Sequence, residues 1–237
     1  MLLDIEGTTT PLDFVYKALF PYARSHLRQF LSRNLLFPEV SADIAKLHEE
    51  HRVDTEQGLN PPLLRNNTPK EELESVAEYI EWLMDRDRKS TSLKSLQGRI
   101  WEEGYKRGEL RGQVFDDVPP ALQRWQKQGK KISIFSSGSV LAQKLLFTHT
   151  TAGDLSRHIS HYFDTTVGSK TDKRSYQKIA SVLQILPTEI VFISDVSIEL
   201  DAAKSAGMHT LLCLRPGNRP QPASTHMLIQ ILDEVFP

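Results

Sequence analysis

The sequence predicts an α/β protein, a Rossmann-like core on a parallel sheet interrupted by an inserted all-helical cap. Three observations carry this. Short apolar strands alternate with helical patterns through the C-terminal half, which implies parallel strands joined by right-handed crossovers. A lone apolar run, Met1-Leu2-Leu3, opens the chain. Between them, from about Pro11 to Asp117, run helical patterns with no convincing strand. The core is therefore assigned to 1–11 and 116–237 and the helical cap to 12–115.

Composition narrows the class. A chain of 237 residues with 39% hydrophobic and 25% charged residues suits one large soluble domain or a domain with an inserted lobe. Lysine plus arginine number 29 against 30 acidic residues, so nothing marks a surface for nucleic acid or an acidic membrane. Cys213, the single cysteine, lies in the apolar run Leu211–Leu214 and reads as a buried structural thiol. There is no basic leader followed by an apolar stretch and no run of ~18 apolar residues. A soluble, intracellular monomer is expected, with a small molecule as its partner and neither nucleic acid nor membrane.

In chain order, only Met1–Leu3 precede Asp4, so the first strand is shorter than the usual ~5–6 residues and clipped at its start. Phe14 to Asn34 has helical spacing of Val15, Leu19, Leu27, Phe30 and Leu31, with Pro21 breaking or restarting the helix. Asp54 to Asn67 reads as a long polar loop. Thr68-Pro69-Lys70-Glu71 is a helix start with a capping residue, a first-turn proline and a capping-box acid. Leu73, Val76, Ala77, Ile80, Leu83 and Met84 continue it as an apolar stripe. Another helix runs from about Leu93 through Tyr105. Lys131–Phe135 is a strand, Val140–Phe147 a helix, His161–Val167 a strand and Ser175–Leu183 a helix. Ile190–Ile193 has the look of a buried strand, and Leu200–Ala206 of a helix stopped by Gly207. Thr210–Leu214 is the last strand predicted, closed by Arg215-Pro216-Gly217-Asn218. Ligands on such sheets gather at the carboxyl ends of the strands.

Four motifs stand at those ends. In Asp4-Ile5-Glu6-Gly7-Thr8-Thr9, strand alternation sends Asp4 and Glu6 to one side, Gly7 permits a sharp turn, and the threonines offer hydroxyls and N–H groups to an anion. The plain alternative is a strand end with two solvated acids. Ser136-Ser137-Gly138-Ser139 opens a helix and suits either an anion site or a helix cap. Lys170 follows a strand, where it can neutralise a phosphate and Asp4 together or serve as a solvated surface charge. Asp195 and Glu199 follow another strand and suit Mg2+ through oxygen donors, or a cap and a helix-dipole charge.

Each motif alone is ambiguous; their order is not. The chain resembles the haloacid dehalogenase (HAD-like) superfamily of phosphotransferases, with Glu6 where that superfamily usually has aspartate. That substitution, with Leu19-Phe20-Pro21-Tyr22, Asp87-Arg88-Lys89-Ser90-Thr91, Leu96-Gln97-Gly98, Gln143–Phe147 and Arg215–Asn218, is similar to the enolase-phosphatase (acireductone synthase) family of methionine salvage. The resemblance runs from Leu2 to about Asn218.

The resemblance implies that Asp4 attacks the phosphorus of a phosphate monoester, while Glu6 protonates the leaving oxygen and then activates water. One Mg2+ per subunit is implied at Asp4, the Glu6 backbone carbonyl and Asp195, with Ser136, the Ser137 backbone and Lys170 gripping the phosphoryl oxygens. The implied substrate is 2,3-diketo-5-methylthiopentyl 1-phosphate, enolised before phosphate is removed. Arg88 and Lys89 are candidates to polarise the diketone, and the helical cap would exclude water and contact the methylthio tail. Cytoplasmic localisation, with a nuclear pool, also follows from the resemblance. The rival readings are a different small-molecule phosphatase of the superfamily and a catalytically silent binding protein of the same fold.

Overall fold

In the computed structural model, which describes residues 1–88, 90–222 and 225–237, the chain divides into two compact units. Met1–Ala18 with Gly108–Pro237 forms one, and Leu19–Arg107 the other. The elements run in order β1 (Leu2–Leu3), α1 (Leu12–Phe14), a π-helical turn (Val15–Leu19), α2 (Phe20–Asn34), α3 (Pro38–Glu56), α4 (Pro69–Asp85), α5 (Thr91–Lys106) and α6 (Val118–Lys127). They continue as β2 (Ser133–Phe135), α7 (Val140–Thr148), β3 (His161–Phe163), α8 (Lys173–Leu183), β4 (Val191–Ser194), α9 (Ser197–Ser205), β5 (His209–Cys213) and β6 (Met227–Ile229).

The first unit carries the parallel α/β sheet that the sequence predicts. Its six strands lie in the order β3-β2-β1-β4-β5-β6 with every pairing parallel. β1 is central: Leu2 pairs with Ser133 on one side and Phe192 on the other, and Leu3 with Ile134 and Ile193. The strand is as short as predicted, yet its ladder continues beyond both ends. The Ser133 amide donates to the Met1 carbonyl (2.8 Å), and the Asp4 amide donates to the Ile193 carbonyl (2.9 Å). Leu2 and Leu3 are wholly buried, as a strand covered on both faces requires. On one face Tyr176 of α8 packs between Phe135 and Phe192, with ring centroids 5.5 and 5.2 Å away. β5 is not the last strand. After the Arg215–Asn218 turn the chain returns and adds β6 to the edge, Leu211 pairing with Met227 and Cys213 with Ile229. Cys213 is buried and free, its thiol pushed up to about 11 by burial. Strand β3 ends at Phe163, short of the expected Val167, because the Asp164 carboxylate turns the chain by accepting from the Thr166 amide at 2.9 Å.

The second unit is all-helical. Thr68 caps α4 as predicted, its hydroxyl accepting from the Glu71 amide at 3.2 Å. Ser90 caps α5 through the Leu93 amide at 3.1 Å. Pro21 sits in the first turn of α2, so it starts that helix. The predicted loop from Asp54 begins later, because α3 runs to Glu56 and carries Asp54 inside it. Asp54 is fully buried, and its two oxygens accept from Tyr79 (2.8 Å) and from Arg88 (2.6 Å). Lys89 lies outside the described residues. Among those described, no helix is long and apolar enough to cross a membrane.

Candidate active site

Asp4 begins where β1 stops, at the carboxyl edge of the sheet between β2 and β4. The chain then closes on itself: the amides of Thr8, Thr9 and Thr10 donate to the Ile5 carbonyl at 3.2, 2.9 and 2.9 Å, and the Gly7 amide donates to the Thr10 carbonyl at 2.8 Å. Two expectations change here. Those threonine amides are consumed within the turn, and all three threonines are fully buried, so they are not offered to an anion. Glu6 is placed by this turn, bridged to Thr10, rather than by strand alternation. The outcome survives the change of cause, because Asp4 and Glu6 line one pocket while Ile5 is buried in the core.

Gly7 is essential to this shape. Its φ is +74°, and a Cβ there would stand 2.3 Å from Asp195 Oδ2. The turn is also held from outside. Arg215, buried and paired with Asp117 at 2.8 Å, donates twice to the Thr8 carbonyl at 3.2 and 3.1 Å. The Asn218 side-chain amide donates from Nδ2 to the Gly7 carbonyl at 2.9 Å. The sequence marked Arg215–Asn218 as a turn but gave no sign of these supporting contacts, since their partners lie more than two hundred positions away.

The other motifs arrive at the same pocket. Its lining includes Asp4, Glu6, Ser136, Ser137, Lys170, Asp195 and Glu199. Ser136 directly follows β2 and is buried, its hydroxyl accepting from the Gly138 amide at 3.2 Å, while Ser139 caps α7 through the Ala142 amide at 3.3 Å. The motif thus both lines the pocket and caps the helix. Lys170 is no solvated charge. Its ammonium donates to Asp4 Oδ1 at 2.5 Å and pairs with Glu199 Oε2 at 2.6 Å. Its backbone is held by the Tyr176 hydroxyl, which donates to the Lys170 carbonyl at 2.7 Å. Asp195 does not cap α9; Val196 occupies that position. Tyr16, Arg219 and Gln221 also line it, beside the apolar Leu12 and Val196, and the sequence does not mark them, because lone polar or aromatic residues carry no periodic signal.

Two buried aspartates and the part-buried Glu199 around one ammonium set the electrostatics. Asp195 is pushed up to about 7 by burial and then by the charges of Asp4 and Glu199, against the pull of Lys170. Glu199 is raised by burial and the Asp4 charge, with Lys170 and the Ser194 hydroxyl opposing. Burial alone would lower Lys170, but Asp4 and Glu199 outweigh it and hold the ammonium above its usual range. The site is therefore short of positive charge. Among the described residues no three His, Cys, Asp or Glu side chains form a ready-made metal cage. Two buried aspartates beside an open pocket suit a hard cation that keeps its waters and takes its remaining donors from substrate.

A parallel α/β sheet with an aspartate after its central strand, a buried lysine against it and a second aspartate after the neighbouring strand defines a class of hydrolase. The chain belongs to the haloacid dehalogenase-like hydrolases, whose sequence model matches residues 1–207. Within that class its relatives are enolase-phosphatases. It is 50% identical to Enolase-phosphatase E1 of Synechococcus elongatus, over 99% of this chain and 96% of that protein. The identity to Enolase-phosphatase E1 of Drosophila yakuba is 42%, over 92% of this chain and 84% of that one. Among solved structures, that of the Unknown transcript 4 protein (UTR4) of Saccharomyces cerevisiae superposes with a TM-score of 0.78 at 33% identity, covering 97% of this chain and 96% of the yeast one.

Proposed function

We propose that the chain is a Mg2+-dependent enolase-phosphatase. It converts 2,3-diketo-5-methylthiopentyl 1-phosphate to the acireductone 1,2-dihydroxy-3-keto-5-methylthiopentene and phosphate, in methionine salvage. The observation that carries the substrate assignment is the likeness to enolase-phosphatases along essentially the whole chain. Fold and pocket by themselves support a phosphomonoesterase.

The residues have the following roles. Asp4 attacks phosphorus, giving an aspartyl-phosphate and splitting one difficult displacement into two easier ones. Lys170, tied to Asp4 and Glu199, fixes the nucleophile's orientation and adds positive charge beside the transferring oxygens. Ser136 and the Ser137 backbone hold those oxygens. Glu6, on its own turn and with a longer side chain than aspartate, folds back to protonate the leaving oxygen and then takes a proton from the attacking water. The fit to Mg2+ rests on the raised Asp195, a buried carboxylate that a divalent cation would keep ionised, with Asp4 and the Glu6 carbonyl as companion donors. When bound, Mg2+ offsets charge on the transferring phosphoryl group.

The test is direct. Purified protein with Mg2+ is given the diketone phosphate, and enol formation is followed by ultraviolet absorbance beside phosphate release. Both signals are expected, with phosphate release far faster than from unrelated phosphate esters. Equal rates on all esters would remove the enolase assignment and leave a general phosphatase.

A further inference from the structure

The pocket is lined by the carboxylates of Asp4, Glu6, Asp195 and Glu199 and, among the described residues, by two cations, Lys170 and Arg219. Lys170 is already committed to Asp4 and Glu199. Arg219 is not. It is exposed, and among the described residues its guanidinium makes no ion pair or hydrogen bond. What it has is a rest: the guanidinium carbon stands 5.9 Å from the centroid of the Tyr16 ring. The loop that carries it is pinned on both sides. Asn218 is bonded to the Gly7 carbonyl, and the Gln221 side-chain carbonyl accepts from the Ser197 amide at 3.1 Å. Arg219 is thus a held but uncommitted cation at the rim of a pocket rich in negative charge.

We propose that Arg219, seated on Tyr16, is the capture residue for the anionic oxygens of the phosphate monoester and sets the preference of this pocket for anionic substrates. The proposal rests on the phosphatase reading. A phosphate monoester carries a charge of about −1.5 to −2 at neutral pH, so it approaches four carboxylates that repel it. A guanidinium at the rim offers that anion a positive charge, and among the described residues nothing competes for it. Charges at a rim act on association and its salt dependence more than on steps within the site.

The test compares wild type with Arg219→Ala, Arg219→Gln, Arg219→Lys and Tyr16→Leu. Kinetics on the diketone phosphate with Mg2+ are measured across a range of ionic strength, and inorganic phosphate binding is titrated by calorimetry. Arg219→Ala and Arg219→Gln are expected to raise KM about five- to tenfold, with kcat changed less than about twofold and a flatter salt dependence. Arg219→Lys should recover most of the loss, Tyr16→Leu should fall between, and phosphate affinity should move in parallel. A wild-type KM and salt slope in Arg219→Ala, or a loss that Arg219→Lys does not repair, overturns the proposal. Wild-type protein that releases no phosphate from the ester refutes the phosphatase reading instead, and the phosphate titration still decides whether Arg219 captures the anion.

Discussion

Lys170 and Asp4 form a buried ion pair, Nζ to Oδ1 at 2.5 Å, with side chains 10% and 6% exposed. Removing one partner of such a pair leaves the other charge buried and unmatched, which costs about 3–5 kcal/mol. Lys170 also faces Glu199, so its loss strands two carboxylates together.

Lys170→Met is therefore expected to lower unfolding stability by about 3–5 kcal/mol in urea titrations and kcat by at least about a hundredfold. Adding Glu199→Gln removes one stranded charge, so the double variant should regain part of the stability and none of the activity. A Lys170→Met melt identical to wild type would mean that the ion pair contributes nothing to the fold.

Gly7 and Gly58 make a controlled comparison. Both have positive φ, +74° and +71°, but a Cβ at Gly7 meets Asp195 Oδ2 at 2.3 Å, whereas one at Gly58 meets nothing within 4 Å. Gly58→Ala should cost only the backbone strain, about 1 kcal/mol, with activity retained. Gly7→Ala must also displace the Asp195 carboxylate, so it should cost about 1–3 kcal/mol and weaken Mg2+ binding. Calorimetric titration with Mg2+ and a thermal melt check both. Equal behaviour of the two variants would show that Asp195 yields freely.

Much of this was legible in sequence because the signals are local. Apolar runs gave β2 and β4, cap residues gave α4, and strand-end placement gathered Asp4, Ser136, Lys170 and Asp195. What escaped depends on distant partners. The buried side of α3 includes Asp43 and Asp54 among its apolar residues, breaking the stripe that would mark a helix. Their burial is made tolerable by Ser95, Tyr79 and Arg88, 25 to 52 positions away. β6 was hidden because Met227 and Leu228 are largely exposed, so this three-residue edge strand has no buried run to reveal it. Glu6 reached its predicted pocket through a turn that its own sequence closes, a case where alternation gave the right placement for a different reason.

Asp195 makes the site pH-dependent. Its pKa is raised from 3.8 to about 7, so between those values the folded protein holds a proton that the unfolded chain has released. The resulting stabilisation is present below the unfolded value and lost as pH rises towards 7. Without metal, Asp195→Asn should therefore gain stability relative to wild type as pH rises from 5 to 8. Mg2+ must displace the same proton, so its Kd should rise about tenfold per pH unit below about 7 and level off above. Thermal melts and calorimetry across that range check both, and a Kd flat from 5.5 to 8 would contradict the assignment of Asp195 as a ligand.

The assignment of Glu6 as the proton donor and acceptor is best tested by changing the leaving group. An alkyl phosphate needs a proton on its departing oxygen, whereas p-nitrophenolate leaves well without one. Glu6→Gln should therefore slow turnover of the diketone phosphate by about 10²–10⁴-fold at its first step. With p-nitrophenyl phosphate the first step should survive, while water attack on the aspartyl-phosphate still lacks its base. The variant should then release a burst of p-nitrophenolate and stall with one phosphoryl group on Asp4, seen by intact-protein mass spectrometry after acid quenching. Asp4→Asn added to Glu6→Gln should abolish both burst and adduct. Steady turnover of p-nitrophenyl phosphate by Glu6→Gln at the wild-type rate would assign the water-activating role to another residue.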